Sequence, residues 1–494
     1  MNRRVRCPWM LLPLLAMTGC AVGPDYRRPG IEPAQHYREA GDWKPAAPAD
    51  AAPRGQWWKI YGDEALDDLM QSANVSNQTI RQAAAQYAAA RALVTGARAA
   101  YFPAISANAS ATRSRNPSSG FASPPSPTSG AIGNSYALSL DAAWEPDLWG
   151  RLRRGTESAR AQAAASAADL ASASLSMQAE LAQDYFQLRA TDEEADFLDQ
   201  EIAGFDRSLK ITQNQYAVGV AKRSDVLQAQ TQLQSTQAQA LDLALTRAQL
   251  EHAIAVLVGR NPSNFRLEKR KLEHAVPVVP AGLPSDLLER RPDIAAAERR
   301  VISANAQIGV ARAAWFPALQ LSGELGYRSS SFEHLVSAAN RLWSVGPAAA
   351  ALSLFDGGAR LAASRQARAN YDAAVAQYRQ TTLSAFADVE DNLAAIRLLA
   401  AERKAQDAAT DAARQAETIM LNQYKAGTVS YLEVVVAQST ALTNARSSIS
   451  LRGRELMTSV ALVKALGGGW DSRMPVHLPP PADPDGSAVA AAGR

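Results

Sequence analysis

The chain has 494 residues, of which 47% are hydrophobic and 20% charged, a composition typical of folded proteins. Its formal net charge of +3 is too small to indicate a nucleic-acid partner. The five histidines are scattered and the two cysteines, Cys7 and Cys20, form no ligand or nucleophile motif. We therefore predict no catalytic residue, no metal and no cofactor, and we do not expect an enzyme.

The first twenty residues have the pattern of a bacterial lipoprotein signal peptide. Three arginines precede a short apolar run, Trp9 to Met17, which is too short to span a bilayer and leads to small residues before Cys20. This arrangement resembles a lipobox, so residues 1–19 are predicted to be removed and Cys20 to be lipidated. An ordinary signal peptide with an incidental cysteine is the alternative.

The remaining sequence is a tandem duplication with a period near 210 residues. The heptapeptide ARAAYFP at 97–103 recurs as ARAAWFP at 311–317, and NQYAVG at 214–219 recurs as NQYKAG at 422–427. This period is too long for a solenoid repeat, so it predicts two copies of one large structural unit. The predicted segments are an N-terminal anchored segment 20–63, a first repeat 64–259, a linker 260–292, a second repeat 293–467 and a disordered tail 468–494.

Each copy is predicted to begin with a helix and to continue into two strands. The first helix is expected over Glu64–Ala100. Apolar and polar residues alternate after each heptapeptide, which indicates strands with one apolar face. The strands are predicted at about 103–114 and 135–145 in the first copy, and at about 317–328 and 345–355 in the second.

Aromatic residues at the ends of these strands match the wall of a transmembrane β-barrel. Four strands cannot close a barrel and open edges cannot lie in lipid, so copies of the chain must share one barrel. Four strands of a soluble periplasmic domain are the alternative. The predicted membrane-interface aromatics are Tyr101, Phe102, Trp144, Trp149, Trp315 and Phe316 at one surface, with Tyr136, Tyr327 and Trp343 at the other.

Long proline-free runs, 147–261 and 348–474, predict the helical part of each copy. The glycine of each NQYxxG motif is the one strong turn signal inside each run, which divides it into a long helix, a tight turn and a shorter return helix. Apolar residues spaced by three and four predict coiled-coil packing. An ordinary helical bundle with a dry core is the alternative.

Several stretches together resemble the TolC-like outer-membrane factors, specifically the NodT-type efflux lipoproteins. They are GCAVGPDYRRP at 19–29, WWKIYGDEALDDLM at 57–70, ERRPDIAAAERRVISANAQIGVARAAWFP at 289–317, NQYKAGTVSYLEV at 422–434 and ALGGGW at 465–470. The resemblance spans residues 15–470. It implies a mainly α fold with a transmembrane β part, in which a homotrimer forms a 12-stranded outer-membrane β-barrel continuous with a periplasmic α-helical barrel.

The resemblance also implies a passive exit duct for drugs or other small molecules. Its partners would be outer-membrane lipid, a periplasmic adaptor protein and an inner-membrane pump of the resistance-nodulation-division class. A type I protein-secretion duct and a lipid-anchored periplasmic coiled-coil scaffold are the alternatives.

The family resemblance places the two helix-turn-helix tips, 216–225 and 424–433, at the periplasmic mouth, where they would meet the adaptor. Thr428 to Ser430 stand where efflux relatives often carry an aspartate. The predicted tip residues are Tyr216, Gly219, Lys222, Arg223, Asp225, Tyr424, Gly427, Thr428 and Glu433.

Overall fold

The computed structural model describes residues 21–30, 37–40, 56–115, 132–272, 276–277 and 290–468. The predicted signal peptide, Cys20 and the tail after Gly468 lie outside the described residues. The α-helices are α1 (Glu64–Ser76), α2 (Gln78–Ala99), α3 (Arg151–Ala217), α4 (Arg223–Leu257), α5 (Pro292–Ala313), α6 (Ala359–Lys425) and α7 (Tyr431–Ala465), and the strands are β1 (Ala104–Arg115), β2 (Ile132–Trp144), β3 (Ala318–Ser329) and β4 (Arg341–Ala351).

The four strands form one antiparallel sheet in the order β1-β2-β3-β4. Ala104 pairs with Ala143, and Ala318 pairs with Ala351. The first residues of β1 and β3 therefore lie at the same end of the sheet as the last residues of β2 and β4. All four connections between strands and helices leave from this end of the sheet, which we call the helix end.

The fourth strand was predicted four residues too late, at about 345–355. It begins at Arg341 and ends at Ala351, which already pairs with Ala318 at the start of β3. Residues after Ala351 therefore have no partner in the sheet. The alanine-rich run over 348–351 carries no alternation of apolar and polar residues that would have fixed the register from sequence.

The predicted single helix over Glu64–Ala100 is two helices, because Asn77 interrupts it. The Asn77 side chain accepts a hydrogen bond from the Ile80 amide at 3.1 Å and donates one to the Leu257 carbonyl at 2.8 Å. A side-chain acceptor at this position satisfies an amide that has no partner inside the helix, as N-cap residues do. Asn77 therefore ends α1 and begins α2.

The two longest helices, α3 and α6, have 67 residues each, which corresponds to about 100 Å of helix. The return helices α4 and α7 have 35 residues each. Among the described residues, no helix combines the length and the apolar composition that crossing a membrane requires.

Contacts divide the chain into two units that cut across the sequence duplication. The strand unit contains Met1–Pro29, Ala88–Ala165 and Ala297–Tyr378, and the tip unit contains Gly30–Tyr87, Ser166–Ala296 and Arg379–Arg494. Each unit draws segments from both repeats. The duplicated halves are therefore interleaved, and neither repeat forms a body of its own.

Apolar clusters of modest size hold the helices of the tip unit together. One cluster joins α3, α4 and α7 through Leu198, Phe205, Leu233 and Leu442. Small residues such as alanine fill much of the remaining buried surface. This pattern is typical of helices that pack side by side along narrow apolar seams, in agreement with the coiled-coil spacing in the sequence.

Candidate functional site

The first tip, between α3 and α4, is a tight turn built around Gly219. Gly219 has a φ of 78°, in the left-handed region that favours glycine. The amide of Val220 donates to the Gln215 carbonyl at 2.8 Å, and the Gly219 amide donates to the Tyr216 carbonyl at 3.0 Å. These bonds satisfy the last carbonyls of α3 in the manner of a Schellman motif.

The second tip, between α6 and α7, repeats this backbone. Gly427 has a φ of 76°, and the amide of Thr428 donates to the Gln423 carbonyl at 3.0 Å. The Thr428 hydroxyl donates to the same carbonyl at 2.9 Å. The uncharged threonine therefore closes the end of its own helix.

The two carboxylates predicted at the tips bind their own hairpins. The Lys222 amide donates to the Asp225 carboxylate at 3.1 Å, and the Ser430 hydroxyl donates to the Glu433 carboxylate at 3.1 Å. A carboxylate at the third helical position that reaches back to the residue before the helix is half of a capping box. Each of these carboxylates thus supports the start of a return helix.

The basic residues of the first tip, by contrast, face solvent. Lys222 and Arg223 are exposed, and neither has an ion pair within the part of the chain that the structure describes. Tyr216 is 46% exposed. The first tip therefore presents two unpaired cations and a tyrosine.

The aromatic residues of the second tip are packed inside the tip unit. The rings of Tyr424 and Tyr431 are 5.1 Å apart, and Tyr431 is only 2% exposed. Tyr431 packs with Ala229 of α4 and Val434 of α7 in one cluster. Burial raises the pKa of the Tyr431 hydroxyl to about 12, so the hydroxyl stays neutral.

Tyr431 was not among the predicted site residues. It occupies the first position of α7, three residues before Val434, and this spacing puts both on one face of the helix. The spacing was available in the sequence. Its partners from α4 and α6, however, come from distant parts of the chain.

A second set of predicted residues lies where strands meet helices in the strand unit. The Trp144 indole donates to the Tyr101 carbonyl at 2.9 Å, and the Trp149 indole donates to the Pro317 carbonyl at 2.7 Å. The Trp149 ring stacks on Phe316 at 4.8 Å. These aromatics therefore gather at the helix end of the sheet.

The remaining predicted aromatics have separate surroundings. Trp315 donates to the Ser364 hydroxyl at 3.1 Å and lies under the Arg360 guanidinium at 4.9 Å. Phe102 is 71% exposed. At the opposite end of the sheet, the Tyr136 ring packs edge-on against the Phe332 ring, with the ring centres 5.7 Å apart. Phe332 was not among the predicted residues.

The segment immediately after Cys20 is bound to the same junction. The Val22 amide donates to the Trp149 carbonyl at 3.0 Å, and a side chain at Gly150 would come within 2.8 Å of Ala21. The Arg154 guanidinium binds Asp25 at 2.7 Å, and the Asn305 side chain donates to the Pro24 carbonyl at 2.9 Å.

Comparison with known proteins agrees with this arrangement. Residues 69–260 and 283–468 match the family model described as outer membrane efflux protein. The probable efflux pump outer membrane protein TtgC of Pseudomonas putida is 32% identical over 455 residues, covering 92% of this chain and 93% of TtgC. The outer membrane protein OprJ of Pseudomonas aeruginosa is 31% identical over 464 residues, covering 93% of this chain and 95% of OprJ.

A solved structure of the outer-membrane channel OprN superposes with a TM-score of 0.84 at 31% identity, covering 91% of this chain and 100% of that chain. The mainly α fold with a β part and the efflux function predicted from the sequence are confirmed. The chain belongs to the outer membrane efflux protein family and is an outer-membrane channel of efflux.

Proposed function

We propose that this protein is the exit duct of a tripartite efflux pump. Three copies close a 12-stranded barrel in the outer membrane and a helical barrel in the periplasm. An inner-membrane pump of the resistance-nodulation-division class delivers drugs or other small molecules through a periplasmic adaptor, and the duct passes them passively.

The open sheet is the observation that carries this proposal. The strands have 11 to 13 residues, enough for a tilted crossing of the hydrocarbon core. β1 and β4 are the edges of the sheet, and every residue of β1 is exposed. An unpaired edge cannot remain in lipid, so β4 of one copy must pair with β1 of the next.

The aromatic residues at the helix end of the sheet support a lipid anchor at the same depth as that end. Trp149 holds the chain two residues after Cys20, and lipid attached to Cys20 would enter the bilayer beside the interface aromatics. Cys20, Tyr101, Phe102, Trp144, Trp149, Trp315 and Phe316 are therefore proposed to face the membrane interface.

The exposed cations of the first tip support the adaptor contact. Lys222 and Arg223 would meet acidic or carbonyl groups of the adaptor, while Gly219 and Gly427 set the turns and Asp225 and Glu433 cap the helices behind them. Charged groups at the rim of such an interface steer the partner and set its register. The remaining proposed contacts are Tyr216, Tyr424 and Thr428.

The names of relatives suggest the cargo. They include a toluene efflux pump outer membrane protein and an antibiotic efflux pump outer membrane protein, both from Pseudomonas putida. We propose that this duct likewise passes small, mainly apolar molecules.

A cysteine cross-linking scan tests the shared barrel. Cys20 is the single cysteine after the predicted cleavage site, so added cysteines report cleanly. Ser106→Cys on β1 is combined in turn with Ala348→Cys, Ala349→Cys and Ala350→Cys on β4. At least one pair of cysteines should give cross-linked species of two and three chains, and no larger species.

The control replaces the β1 cysteine with Ser139→Cys on β2, which already pairs on both sides with β1 and β3. It should give no adduct between chains. A protein that stays monomeric with every β1–β4 pair would contradict the shared barrel.

A further inference from the structure

A cavity lined by arginines lies in the strand unit, next to the ends of the membrane strands. Its volume is about 390 Å³, and its walls come from the start of α3, from α5 and from Tyr101, the second residue after α2. The residues that matter are Tyr101, Arg153, Thr156, Arg160, Arg299 and Ile302. We call it the arginine cavity.

The acidic groups near the arginine cavity already have other partners. Arg154 binds Glu157 at 2.8 Å, and Arg28 binds Glu298 at 3.0 Å. Arg160 and Arg299, by contrast, have no ion pair or hydrogen-bond partner in the described part of the chain. Glu157 also lines the cavity, but its carboxylate is bound to Arg154. The cavity therefore holds two guanidinium groups, those of Arg160 and Arg299, that form no ion pair within the described residues.

The duplication shows that packing does not require arginine at these positions. The offset of 209 that aligns Asp147 with Asp356 places Arg153 opposite Ala362 and Arg160 opposite Ala369. The offset of 214 that aligns the two heptapeptides places Arg299 opposite Ala85. The same helical framework accepts alanine opposite Arg160 and Arg299, so packing does not explain arginine at these two positions. Arg153 differs from them, because it binds Asp147 at 3.2 Å and thereby also supports the start of α3.

The strand unit as a whole uses arginine and not lysine. Its described residues carry 18 arginines and no lysine, against ten carboxylates. The planar guanidinium group binds phosphate through two parallel hydrogen bonds, which an ammonium group cannot do. The unpaired guanidinium groups of Arg160 and Arg299 are therefore suited to bind phosphate oxygens.

One wall of the cavity is part of the strand–helix junction. The Tyr101 carbonyl accepts the Trp144 indole N–H, and β1 begins three residues after Tyr101. Arg153 is the third residue of α3, and Arg160 lies about 11 Å further along the helix axis. Apolar Ile302 lies beside these cations. An amphiphile with a phosphate head would match this lining.

We propose that the arginine cavity binds the phosphate group of an anionic lipid headgroup at the periplasmic surface of the outer membrane. Arg160 and Arg299 hold the phosphate oxygens, and Arg153 and Thr156 line the entrance. The inference rests on the proposed membrane position of the strands. The phosphate chemistry itself does not depend on that position.

The test measures ligands bound to the purified oligomer in detergent by native mass spectrometry. The probes are phosphatidylglycerol, the zwitterionic phosphatidylethanolamine and inorganic phosphate. We expect one phosphatidylglycerol per protomer and weaker retention of phosphatidylethanolamine. The double variant Arg160→Ala/Arg299→Ala should weaken phosphatidylglycerol binding by about tenfold or more, because two charge-assisted contacts are lost.

The control is Arg365→Ala, which removes an exposed arginine without an ion pair in the described residues, near the start of α6. It should change binding less than about twofold. Arg160→Lys keeps the charge and should retain only part of the affinity, because an ammonium group cannot make the two parallel hydrogen bonds that a guanidinium group makes to phosphate.

The outcomes separate the possible occupants. If inorganic phosphate competes as well as the lipid does, the phosphate site stands and its source is free phosphate. If the double variant retains wild-type lipid binding, the proposal is overturned. If the double variant instead loses its oligomeric state, the arginines bind a second copy and the proposal is also overturned. The β1–β4 cross-linking ladder does not involve these arginines, so it reports separately on the shared barrel.

Discussion

The two hairpin tips share one backbone and have different surfaces. Gly219 and Gly427 have φ values of 78° and 76°, and a carboxylate supports the return helix in each tip. Position 223 in the first copy is an exposed arginine, whereas the equivalent position 431 is a tyrosine that is 2% exposed. Duplication therefore preserved the turn, while one tip became a packing element and the other a charged surface.

The largest difference between the tips should appear in stability. Tyr431→Ala removes a buried ring from the cluster with Ala229 and Val434, which should cost about 3–5 kcal/mol. Arg223→Ala at the equivalent position of the first tip should change stability by less than about 0.5 kcal/mol. Denaturant unfolding followed by circular dichroism measures both. Equal losses for the two variants would remove the proposed division between the tips.

The turn glycines should respond alike. Alanine at either Gly219 or Gly427 meets no atom within 4 Å, so the cost comes from the left-handed backbone alone. Each substitution should destabilise by about 1–2 kcal/mol. Gly96→Ala, inside α2 and equally unobstructed, should stabilise by about 0.5–1 kcal/mol because the unfolded chain loses freedom. A clear difference in stability between the two tip variants would show that the left-handed backbone at the glycine does not alone set the cost of the substitution.

Another difference between the two copies, at position 417 of α6, should make the stability of the protein depend on pH. Glu417 of α6 stands where the first copy has Leu209, and burial together with the nearby Glu201 raises the pKa of its carboxyl group to about 7, against a lowering influence of Arg414. The folded protein then binds more protons than the unfolded chain between pH 4.5 and about 7, so stability falls as the pH rises through this range.

Because Glu417 is only half-buried, solvent screening should limit the change to about 1 kcal/mol. Glu417→Gln should flatten the pH profile of the unfolding midpoint. Glu433→Gln at the second tip, which removes a capping carboxylate, should lower stability without flattening that profile. An unchanged slope in Glu417→Gln would contradict the assignment.

The smallest effect on stability is expected at the charged surface. Lys222→Ala/Arg223→Ala should leave the unfolding midpoint within about 0.5 kcal/mol of wild type, since both side chains are exposed. It should slow association with the adaptor, and the loss should shrink as salt is added. Association kinetics at two ionic strengths measure this, with Lys404→Ala, an exposed cation of α6 outside both tips, as the control. An adaptor rate that is insensitive to the double variant would exclude the first tip as the charged contact.

The sequence predicts the elements whose signals are local. The NQYxxG glycines mark both turns, and the alternation after each heptapeptide marks β1 and β3 within a residue or two of their observed bounds. The break at Asn77 was missed because an asparagine inside a helical pattern has no obvious capping role until Leu257 is known to lie beside it. The start of β4 was misplaced because its alanines do not alternate.

The parts of the site that depend on distant contacts could not be predicted. Pro24 is 281 residues from Asn305, which holds it. Tyr431 becomes part of a buried cluster only when α4 and α6 pack against it, and the arginine cavity exists only when α3 and α5 meet. Composition and periodicity carry no information about such pairings.

The most direct test of the central claim is electron microscopy of the detergent-solubilised mature protein. We predict end-on views that show a ring with three-fold symmetry around an open centre, because three four-stranded sheets must close one barrel. Particles that contain a single copy, or that show no ring in any orientation, would contradict the account of an outer-membrane duct shared by three chains.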